Sequence, residues 1–262
     1  MRKLVWYFIN KIFFNYDNPK YYHWAYVFSE RYVNFYRGDD IGGRERSGEW
    51  RFLKEYISKE QPKIIFDVGA NDGVYTKQMR EAGSDAIIHA FEPVSSTYRD
   101  LYNNVKDDRR VIPVNVGLSD KSGAATIHIC SDDNVISGLH DDSGSKISNY
   151  DRSEEVVLTT IDEYCAKNNI DHIDLLKIDT EGHDLFVIKG AEEMLRRGKI
   201  GTITFEVGIF HIFSHLYFYD YHVYLKQFGF TIFKMKALGL EKVLVPENER
   251  PPRWANYVAK RV

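Results

Sequence analysis

The stretch Ile64-Ile65-Phe66-Asp67-Val68-Gly69-Ala70-Asn71-Asp72-Gly73 decides how the chain is read. An apolar run ends in an acid, Asp67, and a glycine-bearing loop follows at once. Beyond the loop, Val74, Tyr75, Met79 and Ala82 recur at roughly helical spacing. A buried strand that stops at a glycine-rich turn and opens a helix is the unit at which a doubly wound sheet binds nucleotide-like ligands. The glycines let backbone approach a ligand closely, and the helix behind offers N–H donors.

Outward from this stretch the unit repeats. A second strand, Ala86–Phe91, ends at Glu92-Pro93, and a helix capped by Ser95 or Ser96 runs to Val105. A third strand spans Arg110–Val116. A fourth, Ile173–Ile178, ends at Asp179-Thr180-Glu181-Gly182-His183 and precedes a long helix, Asp184–Arg197, closed by Gly198. A fifth, Ile200–Phe205, ends at Glu206. Thr231–Met235 and Lys242–Val245 read as a terminal antiparallel pair, and Trp254–Ala259 as a last strand or a tail. This alternation predicts an α/β fold with a mostly parallel sheet covered by helices on both faces. Between the third and fourth strands the pattern changes. Ala125–Cys130 alternates polar and apolar residues and pairs with Glu154–Thr159 as a β-hairpin insertion. The polar loop from Ser131 to Tyr150 is long for a compact domain, which marks it as mobile or functional.

The 262 residues suit one large domain with an extension, and the split falls at 1–47 and 48–262. A formal net charge of −3 carries no electrostatic footprint for nucleic acid. Two cysteines, Cys130 and Cys165, make no disulfide framework. The apolar run Leu4–Ile9 is too short to span a bilayer and lacks a signal-peptide cleavage site, so a cytoplasmic protein is expected. The first 36 residues are dense in aromatics. Leu4, Val5, Phe8, Ile9, Ile12, Phe13 and Tyr16 share one face of a helix. That face suits a cap on the main domain or on a second subunit, hence a homodimer. Flanked by Arg2, Lys3 and Lys11, it also suits peripheral contact with a membrane. The stretch from Arg37 to Gly48 is a charged, glycine-rich linker.

The first turn reads G-A-N-D-G, not the dinucleotide G-x-G-x-x-G. It holds no lysine, while Asp67 and Asp72 are acidic, so a pyrophosphate is repelled and a cationic ligand is welcome. This favours S-adenosylmethionine over NAD. Glu92, at the end of the second strand, is placed to accept hydrogen bonds from both hydroxyls of a ribose; the competing role is to cap the next helix.

FDVGANDG at Phe66–Gly73, FEP at Phe91–Pro93, NVGLSDKSG at Asn115–Gly123, VVLTTIDEY at Val156–Tyr164 and LLKIDTEGHDLFVIKGAEEML at Leu175–Leu195 together resemble the FkbM family of S-adenosylmethionine-dependent methyltransferases. The resemblance spans about Gly48 to Phe233. It implies a Rossmann-like class I methyltransferase fold, with seven strands in the order 3-2-1-4-5-7-6 and strand 7 antiparallel. It implies methyl transfer to a hydroxyl of a sugar, glycan precursor or similar small molecule. It also implies that Gly69, Asn71 and Gly73 line the amino-acid end of the cofactor with Asp67 beneath, and that Glu92 holds the ribose. Asn115 and Val116 then border the adenine, and Asp179 sits beside the sulfonium. N- or carboxyl-methyl transfer on the same cofactor site, or a catalytically silent binding protein, are the alternatives.

A sugar hydroxyl needs a base as the new bond forms. His183 is the leading candidate, against a plain surface role in the first helical turn, while Glu181 is expected to cap that helix. Asp179 and Glu206, at neighbouring strand ends, complete the catalytic set. With His183 or His211 they suit a divalent cation such as Mg²⁺, though no metal is expected. His211 and His215, four apart, read as packing among aromatics rather than as a metal pair.

Overall fold

The computed structural model describes residues 4, 6–7, 19–39, 47–130, 137–139, 150–244, 246, 249 and 254–261. Helix α1 (Pro19–Arg37) precedes α2 (Glu49–Glu60). The decisive stretch is strand β1 (Ile64–Val68), followed by α3 (Val74–Glu81), β2 (Ile87–Phe91), α4 (Ser95–Val105) and β3 (Val111–Val114). Then come β4 (Gly117–Leu118), β5 (Gly123–Ile129), β6 (Ser137–Gly138) and β7 (Arg152–Thr159). The second half runs α5 (Ile161–Asn168), β8 (Ile173–Ile178), α6 (Asp184–Lys189), α7 (Glu192–Arg196), β9 (Ile200–Gly208) and a 3-10 turn (Ile209–Ile212). It ends with α8 (Phe218–Lys226), β10 (Phe230–Lys236), β11 (Gly239–Lys242) and β12 (Trp254–Arg261).

The main sheet has the order β11-β10-β12-β9-β8-β1-β2-β3. β3, β2, β1, β8 and β9 are mutually parallel, and β12 runs antiparallel to both β9 and β10. This is the 3-2-1-4-5-7-6 order of a class I methyltransferase, with β12 as strand 7. Two expectations change. The sheet has eight strands rather than seven, because β11 adds an edge. The segment read as a last strand or a tail is the strand inserted between β9 and β10, where it buries Tyr257, Val258 and Ala259.

Side-chain alternation along β1 divides the core. Phe66 and Val68 join Leu176, Ile178, Ile203 and Phe205 on one face. Ile65 joins Leu53, Met79, Leu101 and Leu175 on the other. Each such apolar side chain, fully buried, contributes about 1.5–3 kcal/mol. The expected long helix Asp184–Arg197 is instead two. At Gly190 a Cβ would lie 2.0 Å from the carbonyl oxygen of Ser119, so the backbone there is pressed against the β4 segment. The chain restarts as α7, where the Asp162 carboxylate accepts from the backbone N–H groups of Glu193 (2.9 Å) and Met194 (3.0 Å). An acid at a helix start satisfies the orphan donors there.

The insertion forms a second sheet, β4-β7-β5-β6. β5 and β7 pair antiparallel from Gly123–Leu158 to Ile129–Arg152, and β4 runs parallel to β7. Most of the polar loop 131–150 lies outside the described residues, as do all the apolar positions expected on the first helix except Leu4.

Candidate active site

A cavity of about 340 Å³ opens at the carboxyl ends of β1, β2 and β8. Its size suits a small-molecule ligand. The first turn forms its floor through Gly69, Ala70, Asn71 and Asp72. Gly69 and Asn71 both have positive φ, 73° and 50°. A Cβ on Gly69 would lie 1.8 Å from the carbonyl oxygen of Asp179, so only glycine lets β1 and β8 close together there.

Glu92 enters from the end of β2. Its carboxylate accepts from the backbone N–H of Asn71 (3.1 Å) and of Val94 (2.9 Å) while lining the cavity. Val94 is the N-cap residue of α4, so the carboxylate braces the turn that leads into the helix while one face stays open to the cavity. Burial pushes its carboxyl up to about 7, against the pull of the two N–H groups and of Lys177.

Three residues expected at the cofactor lie behind the cavity wall. Asp67 is fully buried and faces away, where it accepts from the Thr76 hydroxyl (2.6 Å) and pairs with Lys177 (3.0 Å). Gly73 packs on α4, with Leu101 2.8 Å from where a Cβ would stand. The Asn115 side chain donates to the carbonyls of Glu92 and Pro93, both at 2.9 Å, and so braces the turn that presents the Glu92 carboxylate. Val116, Gly69, Asn71, Glu92 and Asp179 do line the cavity.

Lys177 is the residue that sequence reasoning missed. It sits inside β8, in register with Asp67 of β1. It bridges Asp67 and Asp179 (3.6 Å) and donates to the carbonyl of Gly69 (3.3 Å). Burial alone disfavours its charge, but Asp67 and Asp179 outweigh that and raise its pKa. A lone lysine in the apolar run Leu175-Leu176-Lys177-Ile178 was the available signal, because a buried ammonium needs an acid partner. The first turn holds no lysine, yet one reaches it from the neighbouring strand. The cavity nevertheless stays acidic: Asp72, Glu92, Asp179 and Glu181 line it beside Lys177, whose charge is shared with buried Asp67.

At the β8 end, Asp179, Thr180, Glu181 and His183 reach the cavity. Glu181, expected as a helix cap, stands two residues before the N-cap residue His183 in a left-handed conformation (φ 49°). His183 is buried, stacks on Phe186 and lies 2.9 Å from the Ser119 hydroxyl through Nε2. The Ser119 hydroxyl donates its single proton to Asp120 (3.1 Å).

Glu206 does not line the cavity. β9 continues two residues past it to Gly208, so Glu206 sits within the strand, opposite Asn256 of β12. Its backbone N–H donates to the Asp184 carboxylate (3.4 Å). Burial raises the Glu206 carboxyl well above the usual range, and the charges of Asp179, Glu181 and Asp184 add to this. Burial likewise lifts Asp184 to about 7, with Asp179 adding to it.

His211 lies in the 3-10 turn, accepts from the Gly208 N–H (3.1 Å) and meets the Tyr221 hydroxyl at 2.8 Å. His215 follows outside any helix, at φ 54°. Among the described residues no group of three His, Cys, Asp or Glu side chains is placed to hold a metal ion. The insertion supplies an apolar wall, Ile127 and Leu139, which joins Val94 and Val156 in a small core of its own.

Three relatives share this architecture's sequence. A protein named 2-O-methyltransferase NoeI, from Sinorhizobium fredii, is 25% identical over 56% of this chain and 64% of its own length. One named hexuronic acid methyltransferase AglP, from Haloferax volcanii, is 26% identical over 63% of this chain and 66% of its own. One named 31-O-demethyl-FK506 methyltransferase FkbM, from Streptomyces tacrolimicus, is 25% identical over 54% and 64%. The chain thus spans just under two thirds of the length of each. The family model described as the methyltransferase FkbM domain matches residues 67–232, from the end of β1 to β10. With well over half its length matched, and with the first turn, Glu92, Lys177 and His183 inside that span, the chain belongs to the FkbM methyltransferase family.

Proposed function

We propose that this chain is a cytoplasmic S-adenosylmethionine-dependent O-methyltransferase acting on a hydroxyl of a sugar, glycan precursor or similar small molecule. The observation that carries the reading is the acidic cavity beside the glycine turn, with the buried Glu92 carboxylate on its wall. Four lining acids against one shared lysine suit a ligand that is cationic at sulfur and nitrogen. Glu92 keeps acceptor capacity beyond its two N–H bonds, which fits a vicinal diol. The names of the three relatives, two of which specify an oxygen and one a hexuronic acid, support the hydroxyl acceptor.

In this reading the cofactor supplies an electrophilic methyl group. The chain's own residues do the rest. Gly69 and Asn71 admit the ligand against the β1–β8 seam, and Lys177 holds that seam closed. Asp179 sets a negative charge at the β8 end. His183, on the cavity wall beside Ser119, withdraws the acceptor's proton as the O–C bond forms and the C–S bond to the cofactor breaks.

Calorimetry with S-adenosylhomocysteine tests the cofactor, and binding with Kd at or below about 100 μM (about −5.5 kcal/mol) is expected. Transfer of labelled methyl from S-adenosylmethionine into glycan extracts, with the product identified by mass, tests the acceptor. Binding without transfer to any hydroxyl would favour the silent binding protein, and transfer to an amine or carboxyl would overturn the acceptor.

A further inference from the structure

The helix α1 leaves a line of large aromatic side chains uncovered. Trp24, Phe28, Tyr32 and Phe35 follow one another at spacings of four, four and three, which places them on one side of the helix. They are 68%, 58%, 64% and 57% exposed. Trp24 and Phe28 stack, with ring centroids 5.8 Å apart. The opposite side mixes Ser29, Glu30 and Arg37 with Tyr26 and Val33, and the Tyr26 hydroxyl donates to Glu30 (3.0 Å).

Charge says what covers this stripe. Residues 1–37 carry six lysines and arginines (Arg2, Lys3, Lys11, Lys20, Arg31 and Arg37) against two acids, Asp17 and Glu30. That segment is therefore +4 in a chain whose total is −3, which leaves −7 on the remainder. Helix α1 itself holds Lys20, Arg31 and Arg37 against Glu30, so a second copy would bring like charge against like. An anionic surface attracts the helix. Trp and Tyr are the side chains that settle at a lipid headgroup boundary, and flanking Lys and Arg add attraction to anionic lipid.

The helix is also held at the edge of the sheet where the cavity opens. β10 is antiparallel to β12, which is antiparallel to β9, so β10 ends on the same edge as β1, β8 and β9. That end grips the end of α1. Asp39 pairs with Lys234, the Lys236 ammonium lies over the Tyr36 ring, and a Cβ on Gly38 would lie 2.7 Å from the carbonyl of Met235.

We propose that α1 docks this protein on an anionic lipid surface through Trp24, Phe28, Tyr32 and Phe35, with the cavity edge of the sheet on the docked side. The inference is independent of the reaction proposed above. Flotation with vesicles of equal phosphatidylglycerol and phosphatidylcholine tests it. The full chain is expected to float with these vesicles at low salt and at least ten-fold less with phosphatidylcholine alone, and raising the salt should release it. The double substitution Trp24→Ser with Phe28→Ser is expected to lower partitioning ten-fold or more with an unchanged melting temperature, since both side chains are exposed. Light scattering without lipid should report a monomer. Failure to float on the anionic vesicles, or flotation indifferent to the double substitution, overturns the proposal. A salt-resistant dimer abolished by the double substitution would assign the stripe to a second copy instead.

Discussion

At the β1–β2 end of the cavity each buried carboxylate has an answering donor: Asp67 has Lys177 and Thr76, and Glu92 has two backbone N–H groups. At the β8–β9 end the buried acids crowd one another. Asp184 has the Thr180 hydroxyl (3.0 Å) and one long N–H contact, and Glu206 feels Asp179, Glu181 and Asp184. The first end gives each acid a donor, although burial still lifts Glu92 to about 7. At the second end burial and like charges raise the carboxyls of Asp184 and Glu206 with fewer donors to oppose the rise. A wall held by compensation is stiff and suits a binding surface. Asp184 and Glu206 stand behind the cavity, coupled by charge to Asp179 and Glu181 that line it, so a charge change at the lining acids reaches the pair behind them.

The largest test breaks the compensation. Lys177→Met leaves Asp67 buried without its cation and should cost about 3–5 kcal/mol in urea unfolding. Adding Asp67→Asn should recover part of that loss. A cost below about 1 kcal/mol would mean that the pair does not hold the β1–β8 seam. His183→Ala tests the other end. Turnover should fall about 10²-fold, near 3 kcal/mol, with S-adenosylhomocysteine affinity unchanged. If binding fell with turnover, His183 would belong to the cofactor wall. Glu92→Gln should weaken S-adenosylhomocysteine about ten-fold or more, since bonds to a charged acceptor contribute about 1.5–3 kcal/mol. Equal affinity would remove Glu92 from the ligand.

Two pH profiles sharpen the contrast. Asp184 titrates at about 7 in the folded chain and near 3.9 when unfolded. The stability it contributes as a neutral acid is complete below about pH 3.9 and is lost as pH rises through 7. Asp184→Asn should therefore gain on the wild type steadily between pH 4 and 8, and a constant gap would sink the assignment. Glu92, at about 7, has the same sign for stability. Ligand affinity runs the other way, because a diol needs the ionised carboxylate as acceptor. The Kd for S-adenosylhomocysteine should fall several-fold from pH 6 to 8, and a flat profile would place the diol elsewhere.

Much of the first end was legible in the residues. The continuous apolar run at Ile64–Phe66, the glycine-bearing turn from Gly69 to Gly73 and an acid closing β2 are local patterns, and local rules read them. Even so, Gly73 and Asn115 stand behind the cavity lining, while Asp67 lies beneath the turn as expected. Asp67 and Gly73 are oriented by which face of β1 and α3 packs inward. Asn115 is turned to two carbonyls that arrive from β2. The second end was less legible. The end of β9 was set at Phe205, because Glu206 looks like a stop. Pairing with β12 carries the strand on to Gly208 and places the glutamate within the ladder opposite Asn256.

By itself, the sequence determined the repeating strand–helix unit, the glycine turn, Glu92 at its strand end and the motifs of the family, since each depends on neighbours a few positions apart. Only the tertiary structure decided that Lys177 answers Asp67, that β12 slips between β9 and β10, that Gly190 splits a helix against Ser119, and that the insertion walls the cavity. Each of these joins segments distant along the chain. Strand register and close packing set such contacts, and neither is written in the spacing of residues along one segment.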